Sequence, residues 1–136
     1  MPRHATTVPL DSHGMYRRTV LAVLLALALL ATPAAARDEV RATAACGRGA
    51  SAELRVRAHH GALEVELRVR RHRAGERWSV ALIHERRVAW RGAAKTHDGG
   101  FRVRRTLPDY TGSDEVSARA VNRRGLTCQA TATLHA

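Results

Sequence analysis

The sequence predicts an all-β fold, an antiparallel β-sandwich of seven to eight strands, on three observations. Beyond residue 37, apolar and polar residues alternate with period two through almost the whole chain. Clusters of Gly, Asp and Asn break that alternation at roughly the spacing of short strands joined by tight turns. In the same region no apolar run at helical spacing is long enough to compete.

Taken in order, each strand shows one apolar face. Val40, Ala42, Ala44 and Cys46 share the first, and Leu54, Val56 and Ala58 the second. Leu63, Val65, Leu67 and Val69 form the third, and Trp78, Val80 and Leu82 the fourth. Val88 with Trp90, Phe101 with Val103, and Val116 with Ala118 and Ala120 follow, before Cys128, Ala130, Ala132 and Leu134 close the series. Turns are expected at His60-Gly61, Ala74-Gly75, Asp98-Gly99-Gly100, 111–114 and 122–125.

Charge sets the register of the first complete hairpin. With His60-Gly61 as a two-residue turn, Gly61 supplying a positive φ, Arg57 faces Glu64, Arg55 faces Glu66 and Glu53 faces Arg68. Val56 then meets Val65 and Leu54 meets Leu67 on the buried side. A slip of one residue would turn the apolar set to solvent, so this register is strongly specified. The strand from Gly100 to Leu107 is expected beside the one from Leu63 to Arg71, with Phe101 against Leu67, Val103 against Val65, Arg104 against Glu64 and Arg102 against Glu66. The N-terminal strand is expected alongside the C-terminal one.

Ahead of the alternating region, residues 15–36 have the layout of a secretory signal peptide. Arg17 and Arg18 precede an apolar core from Val20 to Ala31, 12 residues long and short of a membrane-spanning helix, and Ala34 and Ala36 fit a small-x-small cleavage site. Residues 1–14 fit no targeting pattern and read as an over-extended N-terminus, with Met15 as the true start. The mature domain is then 37–136, secreted to the medium or cell envelope. A chain this small gains from covalent closure, and an exported one can keep it. Cys46 and Cys128 are therefore paired as a disulfide. Free thiols and a metal pair are the competing uses, and neither cysteine has a Cys or His at ligand spacing.

The run Val116-Ser-Ala-Arg-Ala-Val-Asn122-Arg-Arg-Gly125 resembles the penultimate strand and following turn of fibronectin type III and related immunoglobulin-like domains. The resemblance implies an immunoglobulin-like sandwich over about residues 40–135. Two features depart from it: the cysteines are not on the central strands that an antibody-type bridge joins, and Tyr110 precedes its strand. The chain also looks like small secreted actinobacterial proteins of unassigned role.

Cleavage after Ala36 removes Arg3, Arg17, Arg18 and Asp11, taking the 23 basic and 12 acidic residues of the chain to 20 and 11, a net charge of +9. That balance favours anionic polymer, whether cell-wall polymer, nucleic acid or acidic lipid. Arg68, Arg70, Arg71, Arg73, Arg102, Arg104 and Arg105 are the candidate contacts. Against them stand Glu53, Glu64 and Glu66, expected to pair with several of these arginines, and the lack of aromatics interleaved with the basic positions, which argues against specific nucleic-acid recognition.

Chemistry is harder to find. His59, His60, His72, His84, His97 and His135 show no ligand-set spacing, and no metal or cofactor is expected. Ser51, Ser79, Ser113 and Ser117 lie in no nucleophile elbow, and no glycine-rich loop has the form of a phosphate cradle. The chain reads as a non-enzymatic, monomeric binding or structural module for an unknown protein or envelope component, with an electrostatic binder of anionic polymer or a small inhibitor of a secreted enzyme as alternatives. Its contact surface is expected at one end of the sandwich, from loops 74–77, 96–100 and 108–113.

Overall fold

A computed structural model of the chain describes residues 38–135; the segment 15–36 expected to be a signal peptide, and the residues before it, lie outside the described residues. Eight strands follow one another: β1 (Glu39–Gly47), β2 (Ala50–His59), β3 (Ala62–Arg70), β4 (Arg77–His84), β5 (Arg87–Lys95), β6 (Gly100–Pro108), β7 (Asp114–Asn122) and β8 (Thr127–Leu134). They form two antiparallel four-stranded sheets, ordered β1-β2-β3-β6 and β5-β4-β7-β8. Among the described residues there is no helix.

The alternating residues meet between the two sheets. Leu54, Val56, Leu63, Val65, Leu67 and Val69 of the first sheet are buried against Trp78, Val80, Leu82, Val116, Ala118, Ala120 and Cys128 of the second. Trp78 also packs its ring on Phe101, 5.7 Å between centroids. Each of these side chains is placed inward by the strand period alone, and the burial of branched and aromatic groups is the main favourable term holding the sheets together.

The β2–β3 hairpin has the register that charge predicts: Arg57 opposite Glu64, Arg55 opposite Glu66, Glu53 opposite Arg68, Val56 opposite Val65 and Leu54 opposite Leu67. Both turn residues, His60 and Gly61, take positive φ, as a tight hairpin of this twist requires.

The β3–β6 pairing differs from expectation by two residues. Phe101 faces Val69 and Val103 faces Leu67, while Arg104 faces Glu66 and Arg102 faces Arg68. A shift of two keeps every side chain on its own face, so alternation cannot detect it. Gly100 decides it: with φ +152 it lies so close to β3 that a Cβ would fall 1.9 Å from the carbonyl oxygen of Val69. Gly100 thereby pairs with Arg70, and Gly99 O accepts the Arg71 amide at 2.7 Å.

Three further expectations are corrected. Strands β1 and β8 do not run side by side; they lie in opposite sheets, and the Cys46–Cys128 disulfide crosses between the sheets with a Cα–Cα distance of 4.7 Å. Val88 does not share a face with Trp90, because an irregularity between Leu82 and Ile83 sets Trp90 opposite Leu82 but Val88 opposite Ile83, leaving Val88 exposed. The three loops do not gather at one end. Loops 71–76 and 96–99 meet at the Arg70–Gly100 end of β3, whereas 109–113 lies at the Ala62–Pro108 end.

Replacing Cys46 and Cys128 together by alanine is expected to lower stability by about 4 kcal/mol, the chain-entropy value for a bridge spanning 82 positions. Urea midpoints of the native and variant chains measure it, and equal midpoints contradict a closing role.

Candidate functional site

Two regions gather the functional side chains. The first is the outer face of the β1-β2-β3-β6 sheet. Glu66 on β3 is reached there by Arg104 through a short hydrogen bond, by Arg102 at 3.4 Å and by Arg68 at 3.8 Å. Burial pushes the Glu66 carboxyl up, but the Arg104 hydrogen bond and the charges of Arg102, Arg104 and Arg55 outweigh it and hold the group below its ordinary range. Glu39 on β1 is held down in the same way, chiefly by its hydrogen bond from Arg41.

The seven arginines named from sequence therefore do not form one free basic surface. Arg68, Arg102 and Arg104 surround Glu66. Arg71 pairs with Glu76 at 3.2 Å and also bonds the Arg48 carbonyl, and its hydrogen bond is the main reason the Glu76 carboxyl sits below its ordinary range. Arg105 points the other way: it follows Val103 on the inner side of an edge strand, and its guanidinium lies 4.1 Å from the centre of the Trp90 ring. Only Arg70 and Arg73 of the seven lack a carboxylate or aromatic partner among the described residues.

The second region lies at the Ala62–Pro108 end, and here sequence reasoning missed the central pair. β4 ends on His84 and β7 begins on Asp114, both buried, with His84 Nε2 and Asp114 Oδ1 2.6 Å apart. The Tyr110 ring stacks on His84 at 4.7 Å and an interplanar angle of 9°, and its amide points at the same Asp114 oxygen at 3.4 Å. Asp114 thus ties the 109–113 loop to the end of β4. The two groups are 30 residues apart in the chain, and no local pattern links them. Asp109, beside them, has its carboxyl pushed above the ordinary range, first by desolvation and then by the hydrogen bond and charge of Asp114, with His84 opposing.

The hairpin next to this pair is strained. Glu85 and Arg86 both adopt positive φ, 48° and 65°, in the left-handed region that costs a side-chain-bearing residue roughly 1–2 kcal/mol. A two-way clamp holds them: Glu85 Oε1 accepts the Glu115 amide at 2.7 Å, and the Glu85 amide donates to the Glu115 carbonyl at 3.1 Å. Between this hairpin and the end of β6 lies a cleft of about 670 Å³, walled by Arg87, Val88, Leu107, Pro108 and Tyr110 over His84. Val88 and Tyr110 are the exposed large apolar groups among the described residues, 48% and 53% accessible.

His84, Glu85 and Asp114 offer three ligand-type atoms within 4.8 Å of one another. Two ligands on one tetrahedral zinc, each about 2.1 Å from the ion, stand roughly 3.4 Å apart. The 2.6 Å between His84 and Asp114 is shorter, so the pair as folded is a hydrogen bond and would have to open to take an ion. A histidine with an orienting carboxylate also recurs beside catalytic nucleophiles, but the neighbouring hydroxyl, Ser113 Oγ, is engaged with His135 Nδ1 at 3.1 Å. The geometry fits a buried strut that positions Tyr110.

Comparison with protein-family models, curated proteins and solved structures finds no match to this chain.

Asp114→Ala is expected to cost about 3 kcal/mol, because it strands a buried histidine, and adding His84→Leu should restore part of that loss. Denaturant titrations of the two singles and the double measure it; additive losses contradict the strut. Glu66→Gln should cost about 1 kcal/mol near neutral pH. A carboxyl with a depressed folded pKa contributes stability above its unfolded value, near 4.3, and loses it as pH falls through the folded one. The deficit should accordingly shrink in acid, and a deficit that persists there removes the charge argument.

Proposed function

We propose that this chain is a secreted, non-enzymatic binding module built on an immunoglobulin-like sandwich. The strand order carries the reading. Without β1, three strands (β2-β3-β6) face four (β5-β4-β7-β8), and the chain visits the two sheets in the order of a fibronectin type III domain, with β1 added at one edge. The disulfide favours an oxidising compartment, which agrees with the signal-like segment 15–36.

The contact surface is the cleft at Val88 and Tyr110. Exposed aromatic and aliphatic groups beside a polar rim are what protein contacts use. Here the aromatic is fixed in place by the buried His84–Asp114 pair, so little ordering entropy remains to be lost on binding. The partner is accordingly an envelope or extracellular protein. The same pair supports a non-enzymatic role, since Asp114 Oδ1 is shared between His84 Nε2 and the Tyr110 amide of the loop.

Export and binding are tested together. Expressed in a secreting host, the chain should appear outside the cell beginning at Arg37 with no alkylatable thiol. Its saturable binding to envelope preparations should fall at least tenfold in Val88→Asp/Tyr110→Ser. Uncleaved chain retained in the cytosol with two free thiols defeats the export reading. Turnover of an envelope substrate, lost in His84→Leu with the fold intact, defeats the non-enzymatic one.

A further inference from the structure

Five cations without a carboxylate partner share the outer face of the second sheet, away from the arginines that sequence singled out. Trp78, Val80 and Leu82 point inward, so Arg77, Ser79 and Ala81 point outward. Arg77 pairs directly with Lys95 on β5. Arg123 follows Asn122, which faces Trp78, and so continues the same row on the other side; Arg77, Arg123 and Arg124 line one hollow of about 300 Å³. Four residues further along β4, Ala81 has Arg91 opposite it on β5 and Arg119 opposite it on β7.

The result is a trough along β4. Its floor is Ser79 and Ala81, its walls are Arg91 and Arg119, and its end is the row Lys95, Arg77, Arg123. Adjacent strands lie about 4.8 Å apart and strand residues rise about 3.4 Å. The walls are thus roughly 10 Å apart at the backbone and the two cationic rows roughly 14 Å apart along the trough. None of the five cations makes an ion pair among the described residues, in contrast to the Glu39 and Glu66 clusters of the other sheet.

Two features suggest a built arrangement. Arg77 directly opposite Lys95 is a like-charge cross-strand pair, which costs stability unless an anion offsets it. The Arg123-Arg124 turn is held rigid by Asn122, whose Oδ1 accepts the amides of Arg124 at 3.0 Å and Leu126 at 2.9 Å. Glu76 also borders the hollow, but its Oε2 is bound by Arg71.

We infer that this trough binds a linear polyanion with phosphates in series and no bases, a phosphodiester-linked polyol chain. The flat floor of small side chains lets a narrow backbone lie down between the arginines. Base stacking has no platform here: Trp78 is buried, Trp90 lies under Arg105, and Tyr110 stands at the far end on His84. The surface is distinct from the Val88–Tyr110 cleft, and either can fail alone.

The test uses the chain as recovered from an exporting host and a poly(glycerol phosphate) of defined length, with single-stranded DNA of equal charge as comparator. With four to five cations engaged, affinity should fall on the order of 50-fold for a fourfold rise in salt. Arg91→Ser/Arg119→Ser should weaken binding at least tenfold and flatten the salt dependence. The charge-matched Arg57→Ser/Arg70→Ser, on the other sheet, should change it less than threefold. Ala81→Glu, which puts a carboxylate on the trough floor between Arg91 and Arg119 and leaves both arginines in place, should abolish it. Equal losses in the two serine doubles would overturn the site in favour of net charge alone. DNA bound as tightly as the polyol phosphate would overturn the ligand class. No measurable binding of either polymer at low salt would overturn both.

Discussion

The covalent tie between Cys46 and Cys128 is the constraint that closes the β1/β8 flank of two sheets otherwise held by their branched and aromatic core. The inner faces of the strands it joins are mostly alanine, Ala42 and Ala44 on β1 and Ala130 and Ala132 on β8, with Val40 and Leu134 toward their ends. Alanines bury little area, so this flank has a weak hydrophobic contribution of its own. The disulfide supplies closure where packing does not. The opposite flank solves the same problem without sulfur. There Arg105 from β6 lies over Trp90 of β5, and the Trp90 indole in turn covers Gly92, where a Cβ would stand only 2.3 Å from the ring.

Charge is divided between the two outer faces as deliberately as apolar residues are divided between inside and outside. The first sheet intersperses glutamates with its arginines, and Glu66 alone engages three. The second sheet places its carboxylates, Glu85 and Glu115, at the hairpin end, and the charged groups on the remainder of its outer face are cations set among small and neutral side chains. Net charge read from composition averages over this difference. A balance of +9 for residues 37–136 is, in space, one face whose glutamates offset part of its arginines and one whose strand cations have no carboxylate partner among the described residues.

What was legible in the sequence was whatever period and local charge determine. The eight strands, the inward set and the β2–β3 register follow from neighbours within a few residues, and Cys46 and Cys128 were paired on size and compartment. The β3–β6 register was not legible, because charge favours the wrong one, with Arg104 and Arg102 opposite Glu64 and Glu66, whereas the structure sets Arg102 opposite Arg68 and the deciding contact is between the Gly100 backbone and Val69. The His84–Asp114 pair was invisible for a similar reason: its partners meet only after two strands and a loop have folded. Loop clustering was misjudged because alternation fixes which face a residue takes, but not at which end of the sandwich a connection emerges. The bulge that turns Val88 outward is one residue long and leaves no mark on composition.

Arg105 has one more effect, on what this molecule does in a crowd. An exposed edge strand is a template on which another chain can add hydrogen bonds and extend the sheet. β6 and β5 are both such edges. Any strand docking onto β6 would have to displace or enclose a guanidinium aimed into the gap between the sheets, and any strand docking onto β5 would meet the kink at Ala89. The contact that closes the flank of one molecule therefore also keeps that flank from recruiting a neighbour, which protects a small β domain from stacking into fibres.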